Sequence, residues 1–113
     1  MAYNEYLADR VKYLLSHKTR NFSEKKMMGG LAIMVEDKMC LGVIKNDLMA
    51  RIDPENQDEA KKRQGCRDMD FTHRPMKGYI FVDPTGYDLD ADLEYWVDLA
   101  LEFNPKAKSS KKG

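Results

Sequence analysis

His17, Cys40, Cys66 and His73 are the imidazole and thiol donors of this chain, the set from which a zinc site would be drawn. Their spacing follows no closed-site pattern, and Cys40 falls in the middle of an apolar run, so no metal site is expected. Cys66 follows a polar stretch that reads as a helix. The negative end of a helix disfavours the thiolate, which makes Cys66 a poor nucleophile. Ser23, Ser109 and Ser110 have no neighbouring base and no nucleophile elbow. Gly29-Gly30 is not followed by a helix, so a phosphate-binding loop is unsupported. Arg67, His73, Arg74 and Lys77 cluster around one turn flanked by Phe71 and Tyr79. Cation and aromatic interleave there as at single-stranded nucleic-acid sites. The competing reading is a solvated turn beside ordinary core aromatics.

The charge balance favours that second reading. Net charge is zero over 113 residues, but the last ten hold four lysines and no acid. The remainder carries 15 basic and 19 acidic side chains, a net of −4, which does not draw in a phosphate backbone. Forty-two per cent hydrophobic and 34% charged describes one globular domain. No apolar run has membrane-spanning length, and the polar N-terminus has no signal-peptide core. A cytoplasmic location with reduced thiols is expected.

The elements that must position these residues are organised around Met27–Asp53. Three strands are expected, Met28–Val35, Lys38–Lys45 and Leu48–Ile52. Asn46-Asp47 is a good two-residue turn; Glu36-Asp37 is a weaker one, because Glu resists positive φ. Gly29-Gly30 marks a bulge or a close approach of backbones. Before the strands, Tyr3 to Ser16 is a helix with Tyr3, Leu7, Val11, Leu14 and Leu15 on one stripe. His17 to Lys26 reads as a polar connection anchored by Phe22. After the strands, Asp53-Pro54-Glu55 starts a second helix that ends near Gln64 with Gly65 behind it. Only Ala60 is available to bury, so this helix is expected to be loosely held.

A short strand near Met69–Phe71, a turn at His73-Arg74-Pro75 and a strand at Met76–Val82 follow. Asp83-Pro84-Thr85-Gly86 is a turn. The last helix runs from Leu89 to Phe103, capped by Asp88 or Asp90, with Leu89, Leu93, Trp96, Val97, Ala100 and Phe103 on its stripe. The division is one domain over residues 1–105 and a disordered Lys-rich tail over 106–113. The order α-β-β-β-α-β-β-α, with hairpin-linked strands and single-stripe helices, gives an α+β two-layer sandwich. Its sheet is antiparallel, with the helices on one face.

Register fixes what each sheet face presents. With two-residue turns at 36–37 and 46–47, one face holds Ala32, Met34, Met39, Leu41, Val43, Leu48, Ala50 and Ile52 and takes the helices. The other holds Leu31, Ile33, Val35, Cys40, Ile44 and Met49, with Lys38 and Arg51 at its rim. That is too apolar for a solvated face, so a second copy or a partner protein is expected to cover it. The competing reading is that a bulge at Gly29-Gly30 or Gly42 breaks the register, or that the polar second helix lies across this face.

The stretches KKMMGGLAIMVEDKMCLGVIKNDLMARID, RPMKGYIFVDP and DLEYWVDLALEFNP resemble the TfoX N-terminal domain family, in its short single-domain branch. The likeness runs from Leu14 to Pro105. It rests on the Met-Gly-Gly strand, the KMCLGV strand and the PMKG strand together. It implies a fold related to the secretion-chaperone-like folds. It carries over no catalytic residue and no cofactor. The family is named for a bacterial regulator of natural competence, so the resemblance implies a protein-interaction module in transcriptional regulation. The second reading is a nucleic-acid-binding accessory that uses Arg67, Arg74, Lys77 and the Lys tail.

Overall fold

The computed structural model describes residues 3–19, 21–27, 29–68 and 77–106. Helix α1 is Glu5–Ser16. Asn4 caps it by accepting a hydrogen bond from the Leu7 N–H at 3.0 Å, and Leu7, Ala8, Val11 and Leu15 form its buried stripe. The helix starts later than the stripe implies. Tyr3 is taken by a parallel bridge to Lys45, and the Asn4 N–H donates to the Lys45 carbonyl.

The segment expected to be a polar connection is a strand, β1, Phe22–Met27. It has no apolar alternation because it is an edge strand. Pairing with β2, Gly30–Val35, satisfies its backbone, while Glu24 points to the helix side and meets Lys12 of α1 at 3.1 Å. Charges on an open edge also discourage further pairing. Gly29 turns the chain at φ +76°. Gly30 is the close approach: a Cβ there would lie 2.5 Å from the Val43 carbonyl oxygen.

Strand β3 is Lys38–Ile44 and β4 is Asp47–Arg51. Glu36 and Asp37 both adopt positive φ, +54° and +64°, so the primed hairpin forms despite the glutamate. Val35↔Lys38 and Met34↔Met39 pair as expected. The next pair is Ile33↔Leu41, because a bulge inserts Cys40 as an extra residue. The second turn is Lys45-Asn46 rather than Asn46-Asp47, with Lys45 at φ +54° and Ile44↔Asp47 as the closing pair. These two departures have different consequences. The turn shifts β4 by two residues and keeps every side chain on its expected face. The bulge shifts β2 by one and reverses it.

Asp53 accepts from the Glu55 N–H and opens a 3-10 turn, Pro54–Asn56, that leads into helix α2, Gln57–Lys61. The missing anchor of this polar helix is Gln57. It is buried, accepts from the Gly78 N–H at 2.8 Å and donates to Asp68 at 3.1 Å. Strands β5, Cys66–Asp68, and β6, Tyr79–Val82, complete a six-stranded antiparallel sheet in the order β1-β2-β3-β4-β6-β5. The strand expected near 69–71 and the turn at 73–75 lie outside the described residues. The expected turn after β6 is a short helix, α3, Pro84–Tyr87, capped by Asp83.

Helix α4 is Asp90–Phe103. Neither Asp88 nor Asp90 caps it; Leu89 holds that position without a side-chain bond and is exposed. The rest of the stripe, Leu93, Trp96, Val97 and Ala100, is buried. Asn104 fastens the far end, donating to the Val35 carbonyl at 3.1 Å and accepting from Lys38 at 2.9 Å. The closing 3-10 turn reaches Lys106, whose ammonium lies 3.7 Å from Asp53; the rest of the tail is outside the described residues. One core joins α1, α4, Ala60 and Tyr87 to Leu31, Ile33, Val35, Cys40, Leu41, Val43, Leu48, Ala50, Ile80 and Val82 of the sheet. The fold is therefore α+β, with the helices packed on the antiparallel sheet.

Candidate interaction surfaces

The bulge at Cys40 decides which residues the outer sheet face presents. Leu31, Ile33 and Val35, expected there, are buried in the core under the helices, with Ile33 wholly covered. Cys40 joins them, since bulged neighbours turn to one side. Ile44, Met49 and Arg51 remain on the outer face, because the β3–β4 shift keeps parity. Ala32, Met34 and Met39 take the places that β2 and the start of β3 exchange.

Pairing across the sheet sets out a continuous outer row, Lys25–Ala32–Gly42–Met49–Phe81–Arg67, one residue from each strand. Gly42 gives Met49 its seat. A Cβ at residue 42 would meet the Met49 methyl at 2.9 Å, and Met49 is only 2% exposed. Around it Met34, Met39, Ile44, Tyr79 and Phe81 are half-buried. Methionine and aromatic side chains of this kind adapt to a partner's contour. Tyr79 and Phe81 could have been found by alternation along YIFV, in which Ile80 and Val82 face the core.

The basic cluster is only partly within view. Arg67 lies 2.7 Å from Asp47, and its guanidinium sits 5.2 Å from the Phe81 ring centre. Arg51 sits 5.4 Å from the Tyr79 ring centre. Lys77 is exposed ahead of β6, while His73 and Arg74 lie outside the described residues.

Chemistry finds little to work with among the described residues. No three His, Cys, Asp or Glu side chains come together as a metal set. Ser16 and His17 approach to 3.3 Å, but the Ser16 hydroxyl already donates to the Tyr13 carbonyl at 2.7 Å. Burial pushes the Cys40 thiol up to about 12 and the Cys66 thiol to about 11, the latter with help from Asp68. The direction for Cys66 matches the helix-end argument, but burial is the main cause. Both thiols are expected to resist iodoacetamide at neutral pH, as followed by intact mass; rapid alkylation of the native protein would contradict this. Folding holds both thiols above their ordinary value of 9.0. Their contribution to stability is therefore intact below about pH 9 and is lost as pH rises toward 11 and 12.

On the other side of the molecule, α1 and α4 leave an open groove of about 560 Å³. Leu14, Ala91 and Leu93 supply its apolar surface, and Asp9, Asp90 and Glu94 its acidic rim. Arg10 crosses one end, donating to the Tyr87 and Asp88 carbonyls and to the Asp90 carboxylate at 3.0–3.2 Å. Lys18 bridges Glu94 and Asp98, and those hydrogen bonds raise its pKa.

No described helix is long and apolar enough to cross a membrane. Among known families, the one described as the TfoX N-terminal domain matches residues 14–104. No curated protein matches the chain.

Proposed function

Because this chain belongs to the TfoX N-terminal domain family, we propose that it is a non-enzymatic protein-interaction module of transcriptional regulation, working in the bacterial cytoplasm. Its contact surface is the outer sheet face, covered by a second copy or by a partner protein. The observation that carries this reading is the row from Lys25 to Arg67, an apolar centre between two cations on the side of the sheet opposite the packed helices. Around that row the half-buried Met34, Met39, Ile44, Tyr79 and Phe81 leave apolar surface in water, the usual mark of a contact patch. A nucleic-acid role draws on the stacked Arg67 and Arg51, but Asp47 already neutralises Arg67. Protein contact is the better fit.

Ile44→Lys tests it. Residue 44 is half-buried, and Asp47 lies directly opposite, so a lysine there has a cross-strand partner where an aspartate would face a like charge. The variant is expected to melt within a few degrees of the parent while losing self-association by sizing, or losing a nuclease-resistant partner in pull-downs. A monomer before and after, with an unchanged pull-down, would defeat the contact-face reading.

A further inference from the structure

The large apolar side chains that stand most exposed among the described residues are Tyr6 (73%), Tyr13 (67%) and Leu89 (68%). All three are, or adjoin, residues that line the α1/α4 groove. Tyr13 lines it, Tyr6 lies against the wall residue Arg10, and Leu89 precedes the wall residue Asp90. Tyr6, Arg10 and Tyr13 follow helical spacing and share one face of α1. The outer sheet face, by contrast, shows no comparably exposed large apolar side chain among the described residues.

Acids outnumber bases three to one among the residues that line the groove. Helix α4 carries five acids and no base. The cations that pair with the groove's own acids are more shielded than the acids themselves: Lys12 is 30% exposed against 76% for Asp9, Arg10 16% against 96% for Asp90, and Lys18 24% against 48% for Glu94. Solvent therefore meets carboxylates around an apolar floor. From Tyr6 to Tyr13 is about 10 Å along α1 at ~1.5 Å per residue, so a small molecule in the groove leaves one tyrosine wet. A helix of two turns or more covers both. Asp9, Arg10 and Tyr13 also precede the family match, so this wall belongs to the part of the chain outside it.

We propose that the α1/α4 groove docks a cationic amphipathic α-helix of a partner protein. Its apolar face lies on Leu14, Ala91 and the two tyrosines, and its lysines or arginines meet Asp9, Asp90 and Glu94. The site is separate from the outer sheet face and does not depend on it.

The test uses the full chain and a dye-labelled Leu/Lys peptide of about 18 residues, long enough to form an amphipathic helix. The controls are its Leu/Glu counterpart and a scrambled Leu/Lys sequence, all read by fluorescence anisotropy. The amphipathic Leu/Lys peptide is expected to bind at least about tenfold more tightly than either control. Tyr6→Ala with Tyr13→Ala is expected to weaken it by about tenfold, and Leu89→Ala by several-fold, with melting unchanged because these side chains are exposed. Ile44→Lys should leave the affinity alone. Equal binding of the scrambled or acidic peptide, absence of binding, or sensitivity to residue 44 but not to the tyrosines overturns the proposal. Deleting residues 107–113 should change nothing; a several-fold gain would mean that the chain's own tail fills the groove, which also overturns it.

Discussion

Val43→Asp is expected to leave no folded protein at ordinary temperatures. Val43 is fully buried in β3, paired with Leu31 on one side and Leu48 on the other. The substitution forfeits about 1.5–3 kcal/mol of apolar burial. It also places a carboxyl group where only hydrocarbon surrounds it, which costs roughly 2–7 kcal/mol more without a partner. Domains of this size hold about 5–15 kcal/mol in all, so the combined loss consumes most or all of it. Loss of the cooperative thermal transition and of the near-ultraviolet dichroism is the expected readout. Comparison with Ile44→Lys makes the result diagnostic. Neighbouring residues on one strand face opposite sides, so one change should unfold the chain and the other should not. A folded Val43→Asp protein with a near-parental melting curve would mean that β3 has the other parity.

That parity was legible in the sequence because beyond the bulge it needs only alternation along β3 and β4 and the turn that joins them. The Lys45-Asn46 turn was misplaced by one residue, yet the resulting two-residue slip left Val43, Leu48 and Ala50 on the core side and Ile44 and Met49 on the other. The bulge at Cys40 was not legible. It demands no glycine and no positive φ, and both faces of β2 are apolar enough to accept either orientation, so Leu31 and Ile33 gave no warning. Edge strand β1 was hidden for the opposite reason: FSEKKM has no face to bury, and only pairing with β2 makes it a strand. The pair Glu36-Asp37 shows local preference yielding to hairpin geometry. Of the candidate contact residues, Ile44, Met49 and Arg51 lie on the outer face and the β2 trio lies on the core side. The groove could not be read at all, since Arg10 and the Tyr87–Asp90 segment are brought together only by the fold.

Trp96→Ala is expected to destabilise the protein by about 3–5 kcal/mol, as large-to-small changes of buried aromatics do. Trp96 is completely covered and is the largest fully buried side chain. Its ring meets Tyr95 edge-on at 4.9 Å, and its indole N–H donates to the Gly86 carbonyl at 2.9 Å. The hydrogen bond ties α4 to α3, and α3 is wedged against the start of β5. A Cβ on Gly86 would lie 2.4 Å from the Gln64 carbonyl oxygen, so this corner cannot slide inward to fill a cavity. Poor collapse argues for the upper part of the range. Trp96→Phe separates the two contributions. It keeps most of the apolar volume but leaves the Gly86 carbonyl without its donor, a loss of about 1–3 kcal/mol. Urea unfolding measures both. The chain has a single tryptophan, so native fluorescence reports on this site alone. The emission should be blue-shifted and should move to the red in one step with unfolding. A solvent-like native spectrum, or an alanine variant within about 1 kcal/mol of the parent, would mean that α4 is not anchored to the sheet through Trp96.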